Sequence, residues 1–232
     1  MIIGKKILIL QHNYDITTDI ITDSLASLGK TSFKIFADFS LKYPRLDLLD
    51  NFNGVVFADS PFKLSNSKIK NTARYVFKKI ISARVPCLLL GSAIDFLKFS
   101  DSSVKLKKDN ALGWFPVKTN ENFLVNNPLP HKIFLNENYS ISLPINARVF
   151  LKSLNEPRIF ELYPCLAVNI FCSINENIYK SLLRNKKSEE EIPNSFLQTQ
   201  EELAFYGKRY LKDYLKFLRI LYKFWYTKYV LN

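Results

Sequence analysis

Apolar residues gather in short blocks through the first hundred positions. Lys6 to Gln11 (KILILQ), Gly54 to Ala58 (GVVFA) and the CLLL after Pro86 are apolar runs of strand length, and Ser32 to Ala37 reads as a further strand. Between them lie stretches of helical period. Ile20, Ile21, Leu25 and Leu28 mark a helix over Asp19 to Leu28 that Gly29 stops, and Ile69, Ala73, Val76, Phe77, Ile80 and Ile81 form one stripe over Ser67 to Arg84. Uniformly apolar strands alternating with amphipathic helices predict a mostly parallel sheet covered on both faces, a doubly wound α/β fold.

Beyond Ser100 the pattern shortens into strand-like runs: Val104 to Lys108, Gly113 to Lys118, Lys132 to Leu135, Arg148 to Leu154, Arg158 to Tyr163 and Leu166 to Phe171. Asn175 to Arg184 reads as a helix. The pattern divides the chain into an α/β domain over residues 1–184, a polar linker over 185–198 that contains NKKSEEEIPNS, and a C-terminal amphipathic helical extension over 199–232. In that extension Lys208, Lys212, Lys216, Arg219 and Lys223 form one basic stripe, while Tyr210, Tyr214, Phe217, Leu221, Phe224 and a second apolar row fill the rest. So wide an apolar arc predicts burial on two sides and favours a homodimer through this helix, with a peripheral membrane surface as the lesser alternative.

Composition changes this picture little. The chain has 232 residues, 47% hydrophobic and 23% charged, in keeping with one packed domain and an appendage. The net charge of +12 is mostly lysine and scattered, in a chain rich in Asn, Ile and Phe, so compositional drift explains it as well as a nucleic-acid partner does. Nucleic acid is therefore not expected from the sequence. The run after the N-terminal lysines is too short for a signal peptide, and no long uncharged apolar stretch occurs, which points to a cytoplasmic protein. Cys87, Cys165 and Cys172 lie in apolar contexts without metal-ligand spacing, and the histidines are only His12 and His131, so neither a disulfide framework, a metal site nor a cofactor is expected.

Several strings then stand in a familiar order. ILILQH, VPCLLLGSAIDFL, ALGWFPV at Ala111 to Val117, SLPINARVFLKS and RIFELYPCLAVNIF together resemble the class I glutamine amidotransferases, especially the glutaminase of GMP synthase, over about Lys6 to Leu183. The resemblance implies a flavodoxin-like sheet and a Cys-His-Glu triad at the carboxyl ends of its strands. A thiolate there attacks the glutamine amide, the histidine activates it, and backbone N–H groups hold the oxyanion. Matched residue by residue, the nucleophile falls on Gly91, the histidine on Phe171 and the glutamate on Ser173, and the oxyanion Gly-Gly-Pro falls on Asp59, Ser60 and Pro61.

No catalytic residue is therefore expected. The sequence predicts a non-catalytic relative that binds a protein partner or a small-molecule ligand, with His12, Asp59, Ser60, Gly91, Ser92 and Cys172 as candidate crevice residues. The alternative is a divergent hydrolase or transferase using Ser92, His12 or Cys172 in the same crevice. Ser92 as a helix cap, Asp95 as a first-turn acid and Cys172 as a core thiol are the plainer readings of those side chains.

Overall fold

The structure, a computed structural model, describes residues 5–11, 17–28, 31–37, 51–58, 67–99, 103–108, 111–119, 129–136, 139–172, 174–184 and 198–231. In chain order the elements are β1 (Lys5–Gln11), α1 (Thr17–Ala26), β2 (Thr31–Ala37), β3 (Gly54–Phe57), α2 (Ser67–Ser82) and β4 (Cys87–Leu90). A 3-10 helix (Gly91–Phe99) follows, then β5 (Lys105–Lys108), β6 (Leu112–Pro116), β7 (Lys118–Thr119), β8 (Lys132–Asn136), β9 (Tyr139–Ser142), β10 (Arg148–Ser153), β11 (Glu156–Leu162) and β12 (Cys165–Val168). The chain closes with α3 (Glu176–Arg184), α4 (Gln200–Trp225) and a π-helical turn (Tyr226–Leu231).

Eight strands form one sheet in the order β2-β1-β3-β4-β12-β11-β10-β7. The pairs from β2 to β12 are parallel, and those from β12 to β7 are antiparallel. Alternation along each strand sends Ile7, Ile9, Val56, Leu88, Leu90, Leu166 and Val168 to one core, and Leu8, Leu10, Val55, Phe57, Leu89 and Ala167 to the other. On the second face lie α2, the 3-10 helix and the β5–β9 pair. The 3-10 helix's period puts Ala93 with Phe96 and Ile94 with Leu97 on adjoining lines three residues apart, which buries all four.

On the first face lie α1, the β6–β8 pair and α4. Thr199 caps α4 in a capping box: its side chain accepts from Glu202 N–H at 3.2 Å, and Glu202 Oε2 accepts from Thr199 N–H at 2.8 Å. The helix then buries Leu203, Gly207, Tyr214, Phe217, Leu218, Leu221, Tyr222 and Trp225, and the π turn buries Tyr226 and Val230. At roughly 2 kcal/mol for each large apolar side chain, this face is one of the main stabilising contacts of the fold. The wide apolar arc is thus covered by the chain's own sheet, α1 and β6–β8, and the C-terminal helix α4 packs as a layer on the domain. Among the described residues of α4 and the π turn, the large exposed hydrophobics are Phe205 and Leu231 alone, so a second copy of the chain is not needed to hide the arc.

Close approaches by glycine fix this docking. A Cβ on Gly54 at the start of β3 would meet Val230 Cγ2 at 2.9 Å and Trp225 Cη2 at 3.0 Å. Trp114, in the GWFP string, is fully buried, donates from Nε1 to Tyr179 Oη at 2.8 Å, and packs edge-on against Tyr214. Its backbone N–H and C=O are both taken by the Gln198 side chain just ahead of the helix, at 2.8 and 2.9 Å. The Gly-Trp-Phe-Pro segment therefore anchors the C-terminal helix to the sheet.

Candidate functional site

Ligands in open α/β sheets bind beyond the carboxyl ends of the parallel strands, so the end of β4 is where chemistry is sought. β4 lies between β3 and β12, and it runs into its 3-10 helix through Gly91, whose φ is +53°. That left-handed conformation costs a residue with a Cβ about 1 to 2 kcal/mol and glycine almost nothing. The elbow expected from the sequence is present in the backbone, and the residue at its apex has no side chain. Gly91 itself is buried, Ser92 is half-buried in the first turn beyond it, and Asp95 pairs with Lys98 one turn later.

The neighbouring strand carries the next two positions. Leu90 pairs in register with Val168, which sets Asn169 beside the elbow and Phe171 and Cys172 just beyond. The Phe171 main chain is held on both sides: its N–H donates to Phe134 C=O at 3.2 Å, and its C=O accepts from Tyr214 Oη at 2.8 Å. Its ring packs 6.0 Å from the Phe134 centroid and is 7% exposed, so the position matched to the catalytic histidine is built into the core under α4. Cys172 is fully buried, with Sγ 3.4 Å from Ile170 C=O. The one histidine among the described residues, His131, is exposed ahead of β8. His12, Asp59, Ser60 and Ser173 lie outside the described residues. Gly91 and Ser92 therefore lie together where β4 ends, whereas Phe171 and Cys172 are turned into the core.

What the sequence did not single out is a buried polar knot beside the elbow. Arg158 on β11 is fully buried and donates from Nη1 to Tyr139 C=O at 3.1 Å and from Nε to Ser153 C=O at 3.3 Å. Asn169, also fully buried, donates to the same Tyr139 C=O at 2.5 Å and accepts from Tyr139 N–H at 3.1 Å. Glu156 accepts from Ser140 Oγ at 2.8 Å and Ile141 N–H at 3.0 Å. Together these side chains strap β9 across the ends of β11 and β12. A buried charge or amide costs several kcal/mol unless hydrogen-bonded, so this knot holds the backbone and offers no free base. The signal in the sequence was Asn169 interrupting an apolar run, since such a residue needs partners.

At the opposite ends of the same strands, Cys87 and Cys165 are register partners and both buried. Burial, and then the neighbouring Cys165 thiol, push the Cys87 thiol well above its ordinary value, so it stays protonated and unreactive. Among the described residues no group of three His, Cys, Asp or Glu side chains could hold a metal ion, and no helix is long and apolar enough to cross a membrane.

No family model and no curated protein matches the chain. Solved structures do. A glutamine amidotransferase from Thermotoga maritima superposes with a TM-score of 0.71 at 15% identity, over 96% of this chain and 98% of that one. One from Methylobacillus flagellatus gives 0.76 at 12% identity, over 97% and 95%. A cytoplasmic protein from Salmonella typhimurium gives 0.58 at 11% identity, over 94% and 98%. A match over 96% of the chain cannot leave out the 26-residue α4, so that helix belongs to the shared architecture. At these identities the likeness establishes the fold, and this chain folds as the glutamine amidotransferases do.

Proposed function

We propose that the protein is a glutamine amidotransferase-like chain that does not hydrolyse glutamine and acts by binding in the cytoplasm, as a regulator, a ligand sensor or the partner of an enzyme. One observation carries the reading: the strand-to-helix elbow is kept, with φ of +53° at its apex, yet its apex is Gly91 and the neighbouring histidine position is Phe171, packed on Phe134. Without a nucleophile and its base, only the residual rate from binding and oxyanion contacts is available. The partner classes that fit are another protein, a second copy of the chain and a small molecule.

The test is ammonia release from glutamine by the purified protein, with Gly91→Cys and Gly91→Cys/Phe171→His beside it. The wild type and Gly91→Cys should both stay at background, because a thiol at the elbow still lacks its base. Turnover by the wild type would overturn the reading. Turnover that survives replacement of all three cysteines and is lost in Ser92→Ala would assign the crevice to the alternative hydrolase, for which the half-buried Ser92 is the best-placed side chain. The complete burial of Cys172 speaks against it as the nucleophile.

A further inference from the structure

The outward side of α4 is the least explained surface of the molecule. Lys208, Arg209, Lys212, Lys216 and Arg219 are all exposed there, and between Lys208 and Arg219 the only acid is Asp213. The line from Lys208 to Arg219 spans eleven residues, about 16 Å of helix. At its N-terminal end stands an aromatic step. Phe205 is 62% exposed and packs edge-on against Tyr206 at 5.4 Å, and Tyr206 stacks on Tyr210 at 5.9 Å and 28°. Lys132 of β8 lies 3.6 Å above the Tyr206 ring, and Arg209 lies 5.5 Å from that of Tyr210. Cations are scattered over the whole chain, but here they form one line ending in an aromatic step whose outermost ring, Phe205, is exposed.

From this juxtaposition we infer that the outer face of α4 binds single-stranded nucleic acid, with phosphates along the Lys208–Arg219 line and a base stacked on Phe205. Three kinds of acidic partner would answer the charge, and the structure separates them. An anionic membrane would need the helix's apolar arc to enter the acyl boundary, and that arc is packed on the sheet. An acidic protein surface is a poorer match, because protein interfaces are depleted in lysine, and Lys208, Lys212 and Lys216 dominate this line. Lysine and arginine in a row gain affinity by releasing counterions from phosphates, and an exposed ring beside them gives an unpaired base a platform.

The experiment is fluorescence anisotropy of a short labelled single-stranded oligonucleotide of mixed sequence against the full chain at several salt concentrations. With four phosphates neutralised, the logarithmic salt slope should be about −3, so a fourfold rise in salt weakens binding about fifty-fold. Lys212→Glu/Lys216→Glu should roughly halve the slope or abolish binding, and Phe205→Ala should weaken binding about tenfold or more. Lys78→Glu/Lys105→Glu removes the same net charge from exposed residues on elements of the opposite face and should change affinity less than twofold. Equal loss in both double variants would overturn the site in favour of diffuse charge, as would binding of phosphatidylserine vesicles without the oligonucleotide. Duplex binding as tight as single-strand binding, with no effect of Phe205→Ala, would overturn the stacking role. Circular dichroism of each variant, whose changes are all to exposed side chains, confirms that the comparison is between folded proteins.

Discussion

Gly207 and Tyr179 fit together with no room between them: a Cβ on the glycine would lie 2.1 Å from Cε1 of the tyrosine ring. The tyrosine cannot retreat, because its hydroxyl donates to Leu203 C=O and accepts from Trp114 Nε1. In an exposed helix Gly→Ala would stabilise by about 1 kcal/mol. Here Gly207→Ala should destabilise by about 2 to 4 kcal/mol, because overpacking and a lost buried hydrogen bond outweigh propensity. Urea unfolding checks the sign. Pairing it with Tyr179→Leu should give less than the sum of the two losses, whereas strict additivity would mean that the contact does not exist.

Truncation after Ser195 should not leave a soluble α/β domain. It uncovers the sheet face that Tyr214, Phe217, Leu218, Leu221 and Trp225 bury, together with the aromatic cluster around Trp114. The expected product aggregates or binds a hydrophobic dye strongly. A truncated protein with cooperative unfolding and a native-like melting temperature would show that α4 is an appendage after all.

Gly91→Ala should cost about 1 kcal/mol, from placing a Cβ at a φ of +53°. Asn at the same position should cost less, since it tolerates that region better than Ala. Equal stability of all three proteins in urea would place residue 91 in ordinary backbone.

Alkaline pH should destabilise the fold in steps. Burial, with Cys165 beside it, raises the Cys87 thiol; burial, opposed by its hydrogen bonds, raises Tyr179; and burial followed by the Glu161 carboxylate raises Tyr229. Each group holds its proton more tightly folded than unfolded, so the unfolded chain ionises first. Stability is full below the ordinary thiol pKa of about 8.5 and declines as pH rises through that value and then past about 10. Tyr229→Phe should flatten the later part of the decline in urea midpoint and leave the earlier part. A midpoint constant up to about pH 11, beyond the ordinary tyrosine range, would refute all three shifts.

The three cysteines should be silent to a thiol reagent in the native state and react together on unfolding, since Cys87, Cys165 and Cys172 are all buried. Fast labelling of Cys172 in native protein would reopen its candidacy in the crevice.

The parallel half of the fold was legible because KILILQ, GVVF and CLLL are buried on both faces and so carry unbroken apolar runs. β9 was not, because YSIS carries little hydrophobic signal and pairs with KLKK, so its place depends on Arg158, Asn169 and Glu156 from distant strands. The positions of Gly91 and Phe171 followed from local strings, but the burial of Phe171 depends on Phe134 and Tyr214, which no local pattern connects to it. The width of α4's apolar arc was legible in its sequence, whereas which elements of the chain's own domain cover it was not. Periodicity reports how much of a helix is buried and says nothing of which chain buries it. Gly54 and Gly207 were the available clues, since each leaves room for a large ring from far along the sequence.

The seat of Trp225 against Gly54 also sets a timetable. β3 and β1 are made early, yet part of the layer that covers one of their faces comes from α4, far downstream in sequence. Loop closure between such distant segments precedes any reward from their contact, which places this fold among the slower, non-local folders. During synthesis that face, already met by α1 and β6–β8, must wait only partly covered until α4 emerges, and it is in that interval that a chaperone would find the chain.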